Sequence, residues 1–382
     1  MQNREVDAVI KNTRPLPHLA MHNNLRVGYA FHGFLADVRT KNGLPYSAPD
    51  GNYFYSWTIL QEFLHRGWKT YSLFPDRDAA YTQFAHEKAF QCFSQEKRVA
   101  AYANTLHVQH TISTEKIQCQ WPELDLVLVE WRMPTTRNTL PMNHPDFEPD
   151  LLLQQLLIDH YTHTKTPIIC IDLDYAMNPS VDDKLFTYVF EFGFKRGHDH
   201  HVDFPFDMSE IRQFEMKLPH QCIAYVGNRY HRDDAFQQFF GTGTEKLSYE
   251  VYGNWLEGEK DSAIRWPHIH FHPRAQPYHI RFAYEHATCV PLLLKEAYNL
   301  HGFMTPRHLE ALLFGTIPVL PQTFTSQINY PLLRVKDEAH MARLAETLLS
   351  DVIAREAIRD VIIDGLQFHD VTHFVDKILS VF

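Results

Sequence analysis

His301-Gly302-Phe303-Met304-Thr305-Pro306-Arg307-His308-Leu309-Glu310-Ala311-Leu312-Leu313-Phe314-Gly315-Thr316-Ile317-Pro318-Val319-Leu320-Pro321 decides how the chain is read. It predicts a loop, then a short helix opening at Thr305-Pro306, with threonine as cap and proline in the first turn. Gly315 stops that helix before a buried strand, Ile317–Leu320. Helix, glycine and strand in this order make half of a βαβ unit. Arg307 and Glu310 fall near the N-terminal end of the helix, where backbone N–H groups and the dipole attract an anion such as a nucleotide diphosphate. A carboxylate there would repel a phosphate, so Glu310 suits the hydroxyls of a sugar.

Upstream, an apolar strand Ile223–Val226 runs into the turn Gly227-Asn228-Arg229-Tyr230-His231-Arg232, and Asp233–Phe240 reads as a helix. A glycine after a strand permits close backbone approach to a ligand, and Arg229 and Arg232 are placed to pair with a diphosphate. An ordinary βα turn with solvated arginines would look the same. Strand Tyr249–Tyr252 follows, then a strand or short helix around His279–Tyr284 and a segment Val290–Tyr298 that carries Lys295. Glu338–Ser350 and Ala354–Phe382 read as mostly helical.

The N-terminal half has the same order of elements. Strand Leu25–Phe31 ends in His32-Gly33-Phe34, and a long loop passes Arg39, Lys41 and Asp50-Gly51-Asn52. Tyr53–Arg66 has helical apolar spacing at Phe54, Trp57, Leu60, Phe63 and Leu64, and Gly67 stops it before strand Lys69–Phe74. Residues 79–120 give no clear pattern. Leu124–Trp131 is the near-continuous apolar run of a central parallel strand. Helix Asp150–Thr162 then leads to strand Ile168–Ile171, and a charged, aromatic passage over 178–218 joins the halves. The expected class is α/β, with two tandem Rossmann-like domains and a cleft between them. The divisions are 1–205 for the first domain, 206–364 for the second, and 365–382 for a helix returning to the first domain.

A chain of 382 residues exceeds the usual single domain, and 45% hydrophobic with 21% charged residues are the proportions of a soluble globular protein. The formal charge of -10 argues against a nucleic-acid-binding surface overall, while local basic loops stay compatible with it. Cys92, Cys119, Cys170, Cys222 and Cys289 are scattered, and several lie in apolar runs, as buried thiols of a reducing compartment do. The first residues lack the apolar core of a signal peptide, and no apolar run is long enough to span a bilayer, so the expected location is the cytoplasm.

Candidate acids and bases of the first half lie on loops at the carboxyl ends of strands: His32, Asp37, Asp50 and Glu130. Asp50 could equally cap the helix that follows. Arg39, Lys41, Arg132 and Arg137 occupy the same edge, either as a basic acceptor cleft or as solvated loop charges. Asp172-Leu173-Asp174 closes an apolar strand, as a metal-binding or phosphatase Asp-x-Asp does, although Tyr175-Ala176 departs from the phosphatase pattern. Alternation on a strand would put His268, His270 and His272 on one face, the way a zinc site can be built, yet no fourth ligand is identifiable and no metal is assigned. Gly241-Thr242-Gly243 follows a helix and is no dinucleotide fingerprint.

Two Rossmann-like halves with a Gly-Asn-Arg turn opening the second, and Arg307-x-x-Glu310-Ala311-Leu312-x-x-Gly315-Thr316-x-Pro318 closing it, resemble the GT-B glycosyltransferases. The resemblance covers the C-terminal half well and the N-terminal half by its order of elements. It implies transfer of a sugar from a nucleotide-sugar, such as a UDP-sugar, to a hydroxyl acceptor, with no further cofactor and no Asp-x-Asp metal. Glu310 would bind the donor ribose, and Arg229, Arg307, Arg232 and Lys295 would neutralise the diphosphate. Asp50 or His32 would be the base. The acidic residue that many members carry several positions before Glu310 is replaced by His301-Gly302-Phe303, which leaves retaining and inverting chemistry both open. Some phage and bacterial members glycosylate hydroxymethylated pyrimidines in DNA, so a modified DNA base and a glycan or small molecule are both candidate acceptors. The competing readings are a phosphatase using Asp172 and Asp174, a nucleotide-sugar epimerase, and a non-catalytic nucleotide-sugar binding module.

Overall fold

The computed structural model describes residues 24–30, 40–41, 44–45, 53–73, 104–108, 110–112, 117–131, 149–173, 175, 177–178, 181–193, 200–220, 222–256, 262–273, 277–324 and 333–382. Two parallel sheets carry the fold. The first has seven strands: β1 (Arg26–Ala30), β2 (Lys69–Ser72), β3 (Leu106–His107), β4 (Leu126–Trp131), β5 (Ile168–Asp172), β6 (Tyr188–Phe192) and β7 (His200–Val202), in the spatial order 7-6-5-4-1-2-3. The second has six: β8 (Cys222–Val226), β9 (Ser248–Tyr252), β10 (His270–His272), β11 (Cys289–Pro291), β12 (Ile317–Pro321) and β13 (Leu333–Val335), in the order 10-9-8-11-12-13. In each sheet the chain works outward from one strand and then restarts on that strand's other side. That reversal opens a crevice at the carboxyl ends of β1 and β4 in the first sheet, and of β8 and β11 in the second.

Strands buried on both faces explain the uninterrupted apolar runs. In β4, Leu126 and Leu128 join the face that packs on helix α1 (Tyr53–His65) through Ile59, Leu60 and Phe63. Val127, Val129 and Trp131 face the other way, onto Leu153, Leu157, Ile158 and Tyr161 of α2 (Pro149–His163). The second sheet is flanked by α3 (Met208–Gln213), α4 (Asp233–Phe240), α5 (Ser262–Arg265), α6 (Pro277–His286), α7 (Glu296–Leu300), α8 (Arg307–Leu313), α9 (Glu338–Ser350) and α10 (Val352–Gly365).

The final helix α11 (Val371–Leu379) returns to the first half and lies on α1. Arg66, at the end of α1, bonds Glu62 at 2.7 Å, Asp376 at 2.8 Å and the carbonyl of Thr372 at 3.3 Å. The two crossings between halves run side by side: the Phe206 amide donates to the His369 carbonyl and the Val371 amide to the Phe206 carbonyl. Cys170, Cys222 and Cys289 are buried free thiols, and burial pushes Cys222 and Cys289 up to about 12.

Of the strand or short helix expected around His279–Tyr284 the structure has the helix, and residues 290–298 hold a strand end, a loop and a helix. Other local expectations change. Strand β10 takes in His270 and His272 only; His268 sits before it, with its Nε2 2.8 Å from the Phe240 carbonyl, so the three histidines do not form one strand face. Residues 110–112 and 117–119 form a small antiparallel ribbon. Thr305 does not cap α8: Pro306 occupies the cap position, and the Thr305 hydroxyl is buried without a hydrogen bond among the described residues.

Candidate functional site

The crevice of the second sheet is built from three backbone segments. Strand β8 ends at Val226, and the chain turns through Gly227, whose φ is +154°. Strand β9 exits through Gly253, which lies so close that a Cβ added there would sit 2.2 Å from the Gly227 carbonyl oxygen. The third segment is α8, which precedes β12 and so begins at the carboxyl edge of the sheet. It has seven residues, too few for a sizeable dipole, so the charge available here is that of side chains.

Arg307 supplies that charge. Its guanidinium lies against Gly227, where a Cβ would come within 2.9 Å of Nε and 3.0 Å of the guanidinium carbon. It stands 5.9 Å from the Tyr225 ring centre, and no hydrogen bond to Arg307 is made among the described residues. Desolvation works against its charge, but the surrounding Tyr225, Tyr284, Glu310 and Tyr298 outweigh it and raise its pKa. Glu310, one helical turn further on, is buried and accepts a hydrogen bond from the Tyr284 hydroxyl at 3.3 Å. Burial first, and then the Glu310 carboxylate, push Tyr284 far above its ordinary value, so it stays a neutral donor. The pair is thus a half-buried cation, without a hydrogen bond among the described residues, beside an oriented carboxylate at the crevice. Lys295, preceding α7, donates to the Tyr298 hydroxyl at 3.3 Å and lies 5.0 Å from that ring's centre.

The other residues of the turn are held differently. Asn228 accepts from the Asn254 amide at 2.8 Å, and the Trp255 indole donates to the Gly227 carbonyl at 2.6 Å, which locks the exits of β8 and β9 together. Arg229 grips both carboxylate oxygens of Asp233, at 2.8 and 2.6 Å, and bonds the Ser262 hydroxyl at 3.0 Å. That guanidinium is the main reason the Asp233 carboxyl is held below its usual range. Arg232 is buried and points inward to backbone carbonyls, with Nε on Leu293 at 3.1 Å and Nη1 on Asn228 at 3.1 Å. A cavity of about 550 Å³ opens between this turn and the Asn254-Trp255 exit.

The first half reaches the same place. Phe192, ending β6, stacks on Phe303 with centroids 5.5 Å apart and planes 8° from parallel. Tyr175 donates to the Phe192 carbonyl at 2.7 Å and sets its ring edge-on to Tyr298, His301 and Phe303. Gly193, at φ +79°, lies so close to the loop before α8 that a Cβ would sit 2.5 Å from the His301 carbonyl. The position of Arg307 is therefore set from both sides of the cleft.

His32, Asp37, Arg39, Asp50, Arg132, Arg137 and Asp174 lie outside the described residues. Lys41 falls in a two-stranded ribbon with Leu44–Pro45. Glu130 is fully buried at the end of β4, beside the first sheet's crevice, and accepts from the Tyr29 hydroxyl. Asp172 is fully buried as well and accepts from the Met177 amide at 3.2 Å, closing the turn after β5. Glu250 bridges His270 at 3.0 Å and His272 at 2.6 Å, but no group of three or more metal-binding side chains is assembled among the described residues. The tyrosines around Arg307 escaped the sequence reading: Tyr225 sits in the apolar run Cys222–Val226 and looks like core, and Tyr284 and Tyr298 lie among charged and polar neighbours that do not single them out.

No family model and no curated protein matches the sequence. Solved structures do match. An alpha-glucosyltransferase in complex with UDP and a 13-mer DNA containing a HMU base superposes with a TM-score of 0.59 at 12% identity, over 94% of this chain and 100% of its own. T4 phage BGT with its UDP-glucose substrate gives 0.55 at 14% identity, over 90% and 94%. The same phage protein with UDP and Mn2+ gives 0.54 at 12%, over 93% and 99%. Likeness over nearly the whole length, together with the two parallel sheets and the returning C-terminal helix, identifies the architecture: the chain has the GT-B glycosyltransferase fold.

Proposed function

We propose that the protein is a glycosyltransferase that moves a sugar from a nucleotide-sugar, in the first instance a UDP-sugar, to a hydroxyl acceptor held in the cleft. The observation that carries this reading is the half-buried Arg307 guanidinium, unbonded among the described residues, beside Gly227 and one helical turn from the buried carboxylate of Glu310. Diphosphate and ribose need this combination: a cation for the charge that develops on the leaving group, and an oriented acceptor for vicinal hydroxyls. The neighbours solved with UDP and UDP-glucose support it.

In this reading Gly227 allows the diphosphate to approach the backbone, Arg307 neutralises it, and Glu310 accepts from the ribose. Lys295 is poised on Tyr298 to add a second cation. Asn228, Arg229 and Arg232 belong to the donor site by shaping the turn: their side chains tie it to Asn254, Asp233 and Leu293. Asp50 or His32 takes the proton of the acceptor hydroxyl as that oxygen bonds the anomeric carbon and the bond to the diphosphate breaks. With basic side chains at the leaving group, the transfer runs without a metal. The donor domain spans 206–364, the acceptor domain 1–205, and 365–382 returns to the first domain. The location we propose is the cytoplasm, which suits the four free cysteines among the described residues; no helix there is long and apolar enough to cross a membrane.

The acceptor we favour is a hydroxymethylated DNA base, reached through Arg39, Lys41, Arg132 and Arg137; a neighbour was solved with DNA carrying HMU. A glycan or small molecule is the second reading, favoured by the net charge of -10. A phosphatase using Asp172 would need a nucleophile where the carboxylate has no exposure. Incubation with labelled UDP-glucose and either hydroxymethylated or plain duplex DNA tests the proposal. Label on the modified duplex alone supports the DNA reading. Label on neither, with turnover on a glycan, moves the acceptor. Conversion of the donor alone to another sugar identifies an epimerase.

A further inference from the structure

The side chain beneath Gly227 has so far had no role. Tyr225 lies on the buried face of β8, with no exposed surface, its ring edge-on to Phe240 at 6.4 Å and Trp255 at 6.1 Å between centroids. Its hydroxyl makes no hydrogen bond among the described residues. Other buried tyrosines of the fold are matched: Tyr161 donates to the Pro122 carbonyl, Tyr284 to Glu310 and Tyr29 to Glu130. Tyr249, whose hydroxyl is also without a bond, has Glu338 and Thr244 beside it. What stands beside the Tyr225 hydroxyl is a cation. A buried hydroxyl without an acceptor is destabilising, so its retention next to Arg307 calls for a partner that arrives from outside.

The glycine shows where that partner enters. A Cβ on Gly227 would sit 2.6 Å from the Tyr225 hydroxyl and 2.9 Å from Arg307 Nε. Both donors therefore pack against the same bare side of the glycine, at the exit of β8, where a ligand that approaches the backbone meets them together. Two donors with no protein acceptor between them suit an oxyanion. We propose that the Tyr225 hydroxyl binds a phosphate oxygen of the nucleoside diphosphate together with Arg307, as a specificity-determining group of the donor site. This rests on the donor-site reading above and adds a residue to it.

The isosteric Tyr225→Phe variant tests the idea, because it keeps the ring against Phe240 and Trp255 and removes only the hydroxyl. The probes are uridine diphosphate, inorganic pyrophosphate and uridine, with Kd measured by titration or displacement. The expected result is a loss of about tenfold or more in affinity for uridine diphosphate and for pyrophosphate, the size of one hydrogen bond to a charged group. Uridine affinity should be unchanged, and the Tm of the free protein equal or higher, because an unmatched buried hydroxyl has gone. Equal diphosphate affinity in variant and wild type overturns the role of Tyr225. So does a parallel loss for uridine, or a lower Tm without ligand, either of which marks a structural hydroxyl. If the wild-type protein binds neither diphosphate, the donor-site reading itself fails, and this inference with it.

Discussion

Replacing Gly227 by alanine tests whether the crevice is built for a ligand or merely for packing. The new methyl would lie 2.6 Å from the Tyr225 hydroxyl and 2.9 Å from Arg307 Nε, at a backbone φ of +154° that side chains rarely adopt. Backbone strain of roughly 1–3 kcal/mol and overpacking of about 1–3 kcal/mol bring the stability loss to about 2–4 kcal/mol, since the Arg307 arm can swing aside and relieve part of it. Against a typical stability of roughly 5–15 kcal/mol the protein stays folded. The swing moves the cation off its point, and losing one charged contact of about 1.5–3 kcal/mol weakens a diphosphate ligand by at least tenfold. Urea unfolding gives the first quantity and calorimetric titration with uridine diphosphate the second. Adding Tyr225→Phe should recover part of the lost stability, because it removes the nearer clash, without recovering affinity. A folded Gly227→Ala protein that binds as tightly as the wild type would refute the reasoning. Gly253→Ala is the contrasting case: its Cβ would sit 2.2 Å from a backbone oxygen that cannot swing, so the loss of stability should be larger.

Glu310→Gln should weaken nucleoside diphosphate binding by tenfold or more while changing urea stability by about 1 kcal/mol, because the amide still accepts from Tyr284. His308 and His369 pack 5.2 Å apart between α8 and the crossing to α11, and burial lowers both pKa values, His308 the further. The unfolded chain therefore binds the extra protons: their contribution to stability is complete above about pH 6.5 and is lost as pH falls toward the folded values. Urea midpoints should fall with acidification below that pH, and His308→Phe should flatten the slope. Arg66→Ala removes the partly exposed contacts to Asp376 and Thr372 and also leaves the buried Glu62 carboxylate without its 2.7 Å partner, so it should cost about 1–3 kcal/mol; faster amide exchange, greatest over residues 371–379, is the readout. Duplex DNA shifted in a gel at low salt should be released at modest salt, and Arg132→Ala with Arg137→Ala should weaken the shift; a shift that survives that pair of substitutions removes those loops as the DNA contact.

Much of the architecture was legible because parallel strands buried on both faces leave continuous apolar runs: residues 126–131 of the run 124–131, and 168–171, 223–226 and 317–320 are strands, and Gly67 and Gly315 stop their helices at positive φ. Short edge elements were not legible. β3, with two residues, and β10, with three, are too brief to show a period, and α6 has an ambiguous pattern because one of its faces is exposed at Phe282. At the site, Arg307 and Glu310 were visible from their spacing. The division of labour among the arginines was not, because Arg232 and Arg229 differ only in what folds against them: backbone carbonyls for one, Asp233 and Ser262 for the other. Tyr225 was hidden for the same reason, since one hydroxyl in an apolar strand carries no periodic signal.

Calorimetric titration of the wild-type protein with the diphosphates of uridine, guanosine, adenosine and cytidine, each with and without EDTA, tests the central claim most directly. The account predicts saturable binding of one of them, uridine diphosphate first, unaffected by EDTA and lost in Arg307→Ala. Undetectable binding of all four, or binding that Arg307→Ala leaves unchanged, would contradict it.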